Sequence, residues 1–262
     1  MCMALGCNAV GVTGCRIIPN EKERLAAILT NALVPCNGRF PTLILLAGVI
    51  QGRSGSLSAL AQAGFLTVCM ALCCGVSLLS TAALRRTVLR GEESSFVLEL
   101  PPFRKPRLGQ LLIRSVLDRT LRVLGRAVTV AAPAGALIWL LNRLTLGGMP
   151  LLSALARGLE PLAAILGLRG ALLLAFVLSI PANELLLPLA LMIAGTEGGD
   201  PAALFSARSA LCAAVFTLFH WPCSTTVLTI WHETKHAKWT LLSVLLPTAI
   251  GALLCATVNL LW

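Results

Sequence analysis

The chain has 262 residues, 57% of them hydrophobic and 12% charged, with a mean hydropathy of +0.86. Soluble domains carry about 25% charged residues, so this composition excludes a soluble globular protein and demands apolar surface facing lipid. The net charge of +10 comes from 21 Lys and Arg against 11 Asp and Glu, but the basic residues gather in one segment between apolar stretches, which excludes a nucleic-acid-binding domain and fits a cytoplasmic loop under the positive-inside rule.

From the start, Met1 leads into Cys2-Met3-Ala4-Leu5-Gly6-Cys7 with neither the basic region nor the cleavage site of a signal peptide. The chain reads as beginning partway into a membrane element, with residues 1–15 a broken segment containing Gly6, Gly11 and Gly14. Arg16 to Arg24 is a charged connector. The apolar run from Leu25 to Ile50 is interrupted by Pro35-Cys36-Asn37-Gly38-Arg39-Phe40-Pro41. A proline inside a helix costs about 3 kcal/mol and removes a backbone donor, so two half-helices are expected there. Leu57 to Leu84 is a clean span.

A basic segment follows from Arg85 to about Gln110, with the stiff Leu100-Pro101-Pro102-Phe103 turn. Residues 108–126 alternate apolar and basic positions, as in a helix lying on a membrane surface. Ala127 to Leu144 is a span carrying Pro133, and 150–166 reads as an amphipathic or re-entrant piece. Ala171 to Ala194 is broken at Ile180-Pro181-Ala182-Asn183-Glu184 and again at Pro188. Ala203 to Ile230 is broken at His220-Trp221-Pro222-Cys223, and a last span runs from Trp239 to the end through Pro247. The expected fold is all-α and polytopic, with seven or eight membrane segments, several discontinuous. It divides at 1–84, 85–126 and 127–262.

The two ends share a plan. Gly6-Cys7-Asn8 is followed by Pro35-Cys36, and Pro181-Ala182-Asn183 by Pro222-Cys223. Transporters are often built from two such repeats, with the binding site where broken helices meet. Irregular backbone at membrane depth must line a wet cavity or lie buried in protein. There it offers carbonyl oxygens, and the adjacent thiol adds a ligand suited to Fe(II), Zn(II) or Cu(I). Cys36 and Cys223 are therefore the first candidates for metal contact. Asn183 and Glu184 are candidates as polar groups inside an apolar run, Asn8 as the repeat equivalent of Asn183, and His220 as an imidazole three residues before Cys223. Cys69, Cys73 and Cys74, with Cys212 and Cys255, read as packing residues. His232-Glu233-Thr234-Lys235-His236 satisfies the His-Glu-x-x-His count of zinc proteases, but in a Lys-rich connector and without a third ligand. No P-loop is present.

Gly6-Cys7-Asn8-Ala9-Val10-Gly11, the Pro35 to Pro41 break, Leu98-Glu99-Leu100-Pro101-Pro102-Phe103-Arg104, Pro181-Ala182-Asn183-Glu184 and His220-Trp221-Pro222-Cys223-Ser224-Thr225-Thr226 occur in that order. Together they resemble the membrane half of FeoB-type ferrous-iron transporters over nearly the whole chain. The resemblance implies multi-pass location in the bacterial inner (plasma) membrane and Fe(II) as transported substrate, with no permanently bound cofactor. The Pro-Cys breaks match the two Gate regions of the family, whose cysteines are proposed to line the iron path. On this reading 1–84 holds the first Gate region and the following helix, 85–126 the cytoplasmic loop and interface helix, and 127–262 the core and second Gate region. The family's N-terminal G domain is not in this sequence. Any GTPase activity is thus expected from a G-domain partner chain or a missing N-terminal portion, and the chain itself is expected not to be an enzyme. The lipid bilayer and a homo-oligomer complete the expected partners. The alternatives are transport of a nucleoside or another divalent metal, a membrane metalloprotease using His232, Glu233 and His236, and a non-autonomous fragment needing a partner.

Overall fold

A computed structural model describes residues 2–51, 56–89, 109, 113, 121–146, 149–196 and 206–262. Among them the chain is helical, apart from one antiparallel pair of two-residue strands, β1 (Thr145–Leu146) and β2 (Met149–Pro150).

Two short helices, α1 (Cys2–Gly6) and α2 (Asn8–Gly14), fold back on each other across Cys7. Asn20 then starts the first crossing: its side chain accepts from the Lys22 and Glu23 backbone N–H groups, and Glu21 and Glu23 place negative charge in the first turn. This helix, α3 (Glu21–Thr30), tightens into a 3₁₀ turn, opens at 34–36, and resumes through a second 3₁₀ turn as α4 (Phe40–Gln51). Pro35 falls in the opening, where no helical N–H is lost. Pro41 falls in the first turn of α4, where none is needed.

The second half repeats this plan upside down. Helix α5 (Ser56–Thr87) crosses back, and α6 (Leu121–Arg143) leads to the strand pair. Helix α7 (Leu151–Ile165) meets α8 (Gly170–Leu178) at 104°. Helix α8 stops at Ser179, and after a 3₁₀ turn α9 (Leu186–Thr196) folds back against α8 and α7. Helix α10 (Ala207–Phe219) then descends to a gap at 220–223, and α11 (Ser224–Thr234) completes the crossing; α12 (Ala237–Leu261) returns. Each half is thus a hairpin of short helices followed by a broken crossing. α3–α4 starts from the face that carries Glu23 and Arg85, paired at 3.8 Å, whereas α10–α11 ends on the face where Glu233 meets Arg16. These are the same face, because α3, the end of α5 and the start of α12 share one cluster around Ala26, Leu29, Leu84 and Trp239. The two crossings therefore run in opposite directions, the inverted repeat of many transporters. Even the hairpin corners match: Cys7 and Ala182 share φ −153° and ψ 125°.

The half-helices are 10 to 13 residues long, about 15–20 Å at 1.5 Å per residue, or half of a ~30 Å hydrocarbon core. The breaks accordingly fall near the membrane midplane. Among the described residues four helical stretches are long and apolar enough to cross, Glu21–Ile50, Ala59–Thr87, Ala207–Thr234 and Ala237–Leu261, or five if α7–α8 counts as one bent span. Seven or eight segments are expected over the whole chain; within the described part, α7 and α8 are each shorter than a span and meet nearly at a right angle. Pro188 does not make a second break. It is the third residue of α9, inside the first turn, where its missing N–H costs no bond. Most of the basic segment 85–126 and its expected interface helix lie outside the described residues; residues 121–126 open α6.

The α7–α8 corner depends on a glycine. A Cβ at Gly170 would run into the Ala156 carbonyl oxygen and lie 2.6 Å from Glu160 Oε2, which accepts the Gly170 N–H at 2.6 Å. Gly170→Ala is expected to destabilise by about 1–3 kcal/mol, read as a lower melting temperature in detergent. Gly158→Ala on α7, with open space around it, should not lower the melting temperature.

Candidate functional site

The two broken crossings meet at Arg39. This side chain is 1% exposed and lies just after the first break. Its Nη1 donates to the Leu218 carbonyl at 2.8 Å and to Ala32 at 3.3 Å; its Nη2 donates to His220 at 3.0 Å and Trp221 at 3.3 Å. Leu218, His220 and Trp221 lie at the C-terminal end of α10 and in the gap that follows it, and Ala32 lies in the turn that ends α3. Helix C-terminal carbonyls lack internal partners and carry the negative end of the helix dipole. No carboxylate pairs with Arg39 among the described residues. The guanidinium is held instead by oxygens that two broken helices leave over.

Around it the first break meets the second hairpin. The Asn183 side-chain amide donates to Cys36 Sγ at 3.7 Å, and Asn183 Oδ1 lies 3.4 Å from His220 Nε2. All three side chains are buried. The other ring nitrogen, His220 Nδ1, faces the carbonyls of Phe216 at 3.2 Å and Thr217 at 3.0 Å. Carbonyls only accept, so Nδ1 carries a proton, and in the neutral ring Nε2 presents a lone pair to the amide. A lone pair and a carbonyl oxygen are both acceptors. Their contact is completed by turning the amide over, by a proton on Nε2 or by a cation shared between them. Phe176, Phe216 and Trp221 enclose the imidazole at centroid distances of 5.2, 6.2 and 6.0 Å. The Cys36, Cys223 and Cys73 sulfurs all lie within electrostatic reach of the Arg39 guanidinium.

Of the residues singled out from sequence, Cys36, Asn183 and His220 thus form one connected group. Cys223 is also within electrostatic reach of Arg39, half-buried at the start of α11, with Sγ 3.2 Å from the Thr225 and Thr226 hydroxyls. Glu184 is exposed beside the break, close enough to Gly38 that a Cβ there would sit 2.9 Å from its Oε1. Asn37 is exposed there too. Polar side chains exposed at a helix break are served by water or polar neighbours rather than by lipid. Asn8 serves a different contact. Its backbone carbonyl accepts from Asn31 Nδ2 at 2.8 Å, and its amide, in the orientation that satisfies both ends, donates to Val34 and Ala4 carbonyls at 3.2 and 3.1 Å. It braces the first break two residues before Cys36.

The His232-Glu233-x-x-His236 pattern is not a helical zinc motif. Helix α11 ends at Thr234, Lys235 takes a left-handed conformation (φ 51°), and His236 caps α12, so the two histidines sit on different helices. Glu233 is engaged by Arg16 in a two-pronged ion pair, 2.6 Å at its shortest. Among the described residues, no three His, Cys, Asp or Glu side chains converge as a metal cluster.

Sequence reasoning quoted Arg39 within its motif and gave it no role. An arginine inside a proline-bounded interruption of an apolar run was the available signal. Its partners are backbone oxygens, mostly about 180 residues away, and no side-chain pattern announces them.

Two family profiles match the chain: "Ferrous iron transport protein B C terminus" over residues 66–118 and "Nucleoside recognition" (Gate) over 124–237. Among curated proteins, the Fe(2+) transporter FeoB of Staphylococcus aureus (strain MSSA476) is 29% identical over 261 residues, covering 94% of this chain and 38% of its own length. Its namesake in Methanocaldococcus jannaschii is 27% identical (93% and 38%), and that of Synechocystis sp. 26% identical (94% and 40%). The chain therefore spans about 38% of the length of the curated relatives it matches. No solved structure matches it. With both profiles matched in order and the alignments running almost end to end, the chain is similar to the C-terminal part of FeoB-type ferrous-iron transporters.

Proposed function

We propose that this chain forms the ferrous-iron path across the inner (plasma) membrane, with Fe(II) passing the helix breaks at Cys36, Asn183, His220 and Cys223. The observation that carries the reading is the connected group at the centre: His220 Nε2 lies 3.4 Å from Asn183 Oδ1, and the Asn183 amide donates to Cys36 Sγ. Imidazole nitrogen, amide oxygen and sulfur are a donor set for a borderline divalent metal. The fixed positive charge of Arg39 opposes a dication and keeps binding weak unless the thiols ionise, and weak binding is what permits exit. Glu184 and Asn37 stand at the wet approach, while Asn8 supports the break from behind. Hydrolysis of GTP falls to a G domain in a partner chain or an N-terminal portion, which biases opening of the path.

The test is uptake of radiolabelled Fe(II), kept reduced, into membrane vesicles from cells expressing the intact chain with and without a G-domain partner. Uptake above vesicles lacking the chain is expected, and Cys36→Ser should lower its initial rate about tenfold, a loss of about 1.4 kcal/mol in the barrier. Nucleoside uptake with no response to Fe(II) would instead favour the reading suggested by the Gate profile's description.

A further inference from the structure

Helix α5 is polar on the wrong side for a membrane span. Its outward face carries Val68, Leu72, Leu78 and Leu79, whereas its buried stripe is Cys69, Cys73, Ser77 and, half-buried, Thr81. These four recur every four residues and so share one face. A buried stripe of small residues is ordinary helix packing, but one member does no packing chemistry. The Ser77 side chain is 0% exposed, and its hydroxyl has no hydrogen-bond partner. A buried orphan hydroxyl costs about 1–3 kcal/mol, and alanine would avoid that cost.

The stripe has two defined ends. Cys73 lies within electrostatic reach of Arg39, at the breaks. Thr81 Oγ1 lies 3.1 Å from Thr30 Oγ1 on α3, and one turn on Arg85 pairs with Glu23 at the basic face. From Cys73 to Arg85 is twelve residues, about 18 Å of helix, or half the hydrocarbon core plus the headgroup boundary. Successive polar groups stand about 6 Å apart along it. On the proposed transport reading, the α3–α5 seam connects the midplane site to the basic face, which is cytoplasmic by the positive-inside rule.

We propose that this seam is the cytoplasmic exit lane for the metal ion, with Cys73, Ser77 and the Thr30–Thr81 hydroxyl pair as successive oxygen and sulfur contacts. The lane is shut in this structure, since Ser77 and Thr30 are buried. Opening parts α5 from α3, and the orphan Ser77 hydroxyl then has a ligand to meet. The inference rests on the chain being an iron path.

Two measurements on the intact chain in inside-out vesicles test it. In the first, Ser77→Cys is treated from the cytoplasmic side with a charged, membrane-impermeant methanethiosulfonate, and adducts are counted by mass spectrometry. One adduct more than wild type is expected, and Fe(II) should suppress it. Leu79→Cys, on the lipid face, should add none. In the second, Ser77→Ala should lower Fe(II) flux severalfold at a melting temperature no lower than that of wild type, with the flux of Ser77→Thr close to wild type. A Ser77→Cys thiol as unreactive as that of Leu79→Cys, or wild-type flux in Ser77→Ala, overturns the lane. If wild-type chain gives no iron flux at all, the transport reading fails. If flux is present and Cys36→Ser suppresses it while Ser77→Ala does not, only the lane fails.

Discussion

Arg39→Met is expected to leave little folded protein in the membrane, with a loss of about 3–5 kcal/mol, the range for breaking a buried charged network. The argument rests on what methionine strands. Four carbonyls lose their donor at once, three of them at or beyond the end of α10 and one in the turn after α3. A buried polar group without a partner costs about 1–3 kcal/mol, and no water reaches carbonyls that a 1%-exposed side chain now covers. The effect is not local, because Arg39 is the shared donor of two crossings from opposite halves of the sequence. Without it the two breaks have no common anchor. Arg39→Lys keeps the charge but concentrates three donors on one atom, and it should recover only part of the loss. Thermal unfolding in detergent, scored as the fraction remaining monodisperse, is the measurement. Arg16→Gln is the contrast. That side chain is 67% exposed and its charge is largely screened by water, so no measurable loss of monodisperse protein is expected. An Arg39→Met protein as stable as Arg16→Gln would mean that the breaks are held by packing alone.

Much of this architecture was legible, and for an identifiable reason. Prolines at 35, 181 and 222 forbid continuous helices in runs otherwise apolar enough to cross. They located three breaks to within a residue or two and exposed the repeat. Proline was misleading only at 188, where sequence shows the ring but not its place in the turn. The inversion of the second half was not legible, because direction across the membrane depends on whether each hairpin returns to its own face. Cys36, Asn183 and His220 were nameable one by one as polar groups in apolar surroundings. Their meeting was not, since they come from three separate elements. The polar stripe of α5 was visible only as cysteines on a shared face. Ser77 became distinctive once burial and the lack of a partner were known together.

Asn183→Leu is expected to lower Fe(II) flux about a hundredfold, roughly 2.7 kcal/mol in the barrier, while leaving the chain folded. Leucine has asparagine's branching and number of side-chain heavy atoms. It removes the amide between Cys36 and His220 and puts hydrocarbon in its place on the proposed path. An ion leaving its water there would find no oxygen, and an apolar constriction sheds water as well. Asn183→Asp separates ligation from passage. A carboxylate beside imidazole and sulfur binds a dication more tightly than an amide does, and it would also draw Arg39 electrostatically. Vesicles carrying Asn183→Asp should therefore retain more iron after washing yet pass it about tenfold more slowly, because a site that holds too well does not conduct. Retention and initial rate, measured on the same vesicles, should move in opposite directions for Asp and fall together for Leu. Wild-type flux in Asn183→Leu would remove the amide from the path, and with it the reason for placing the ion between Cys36 and His220.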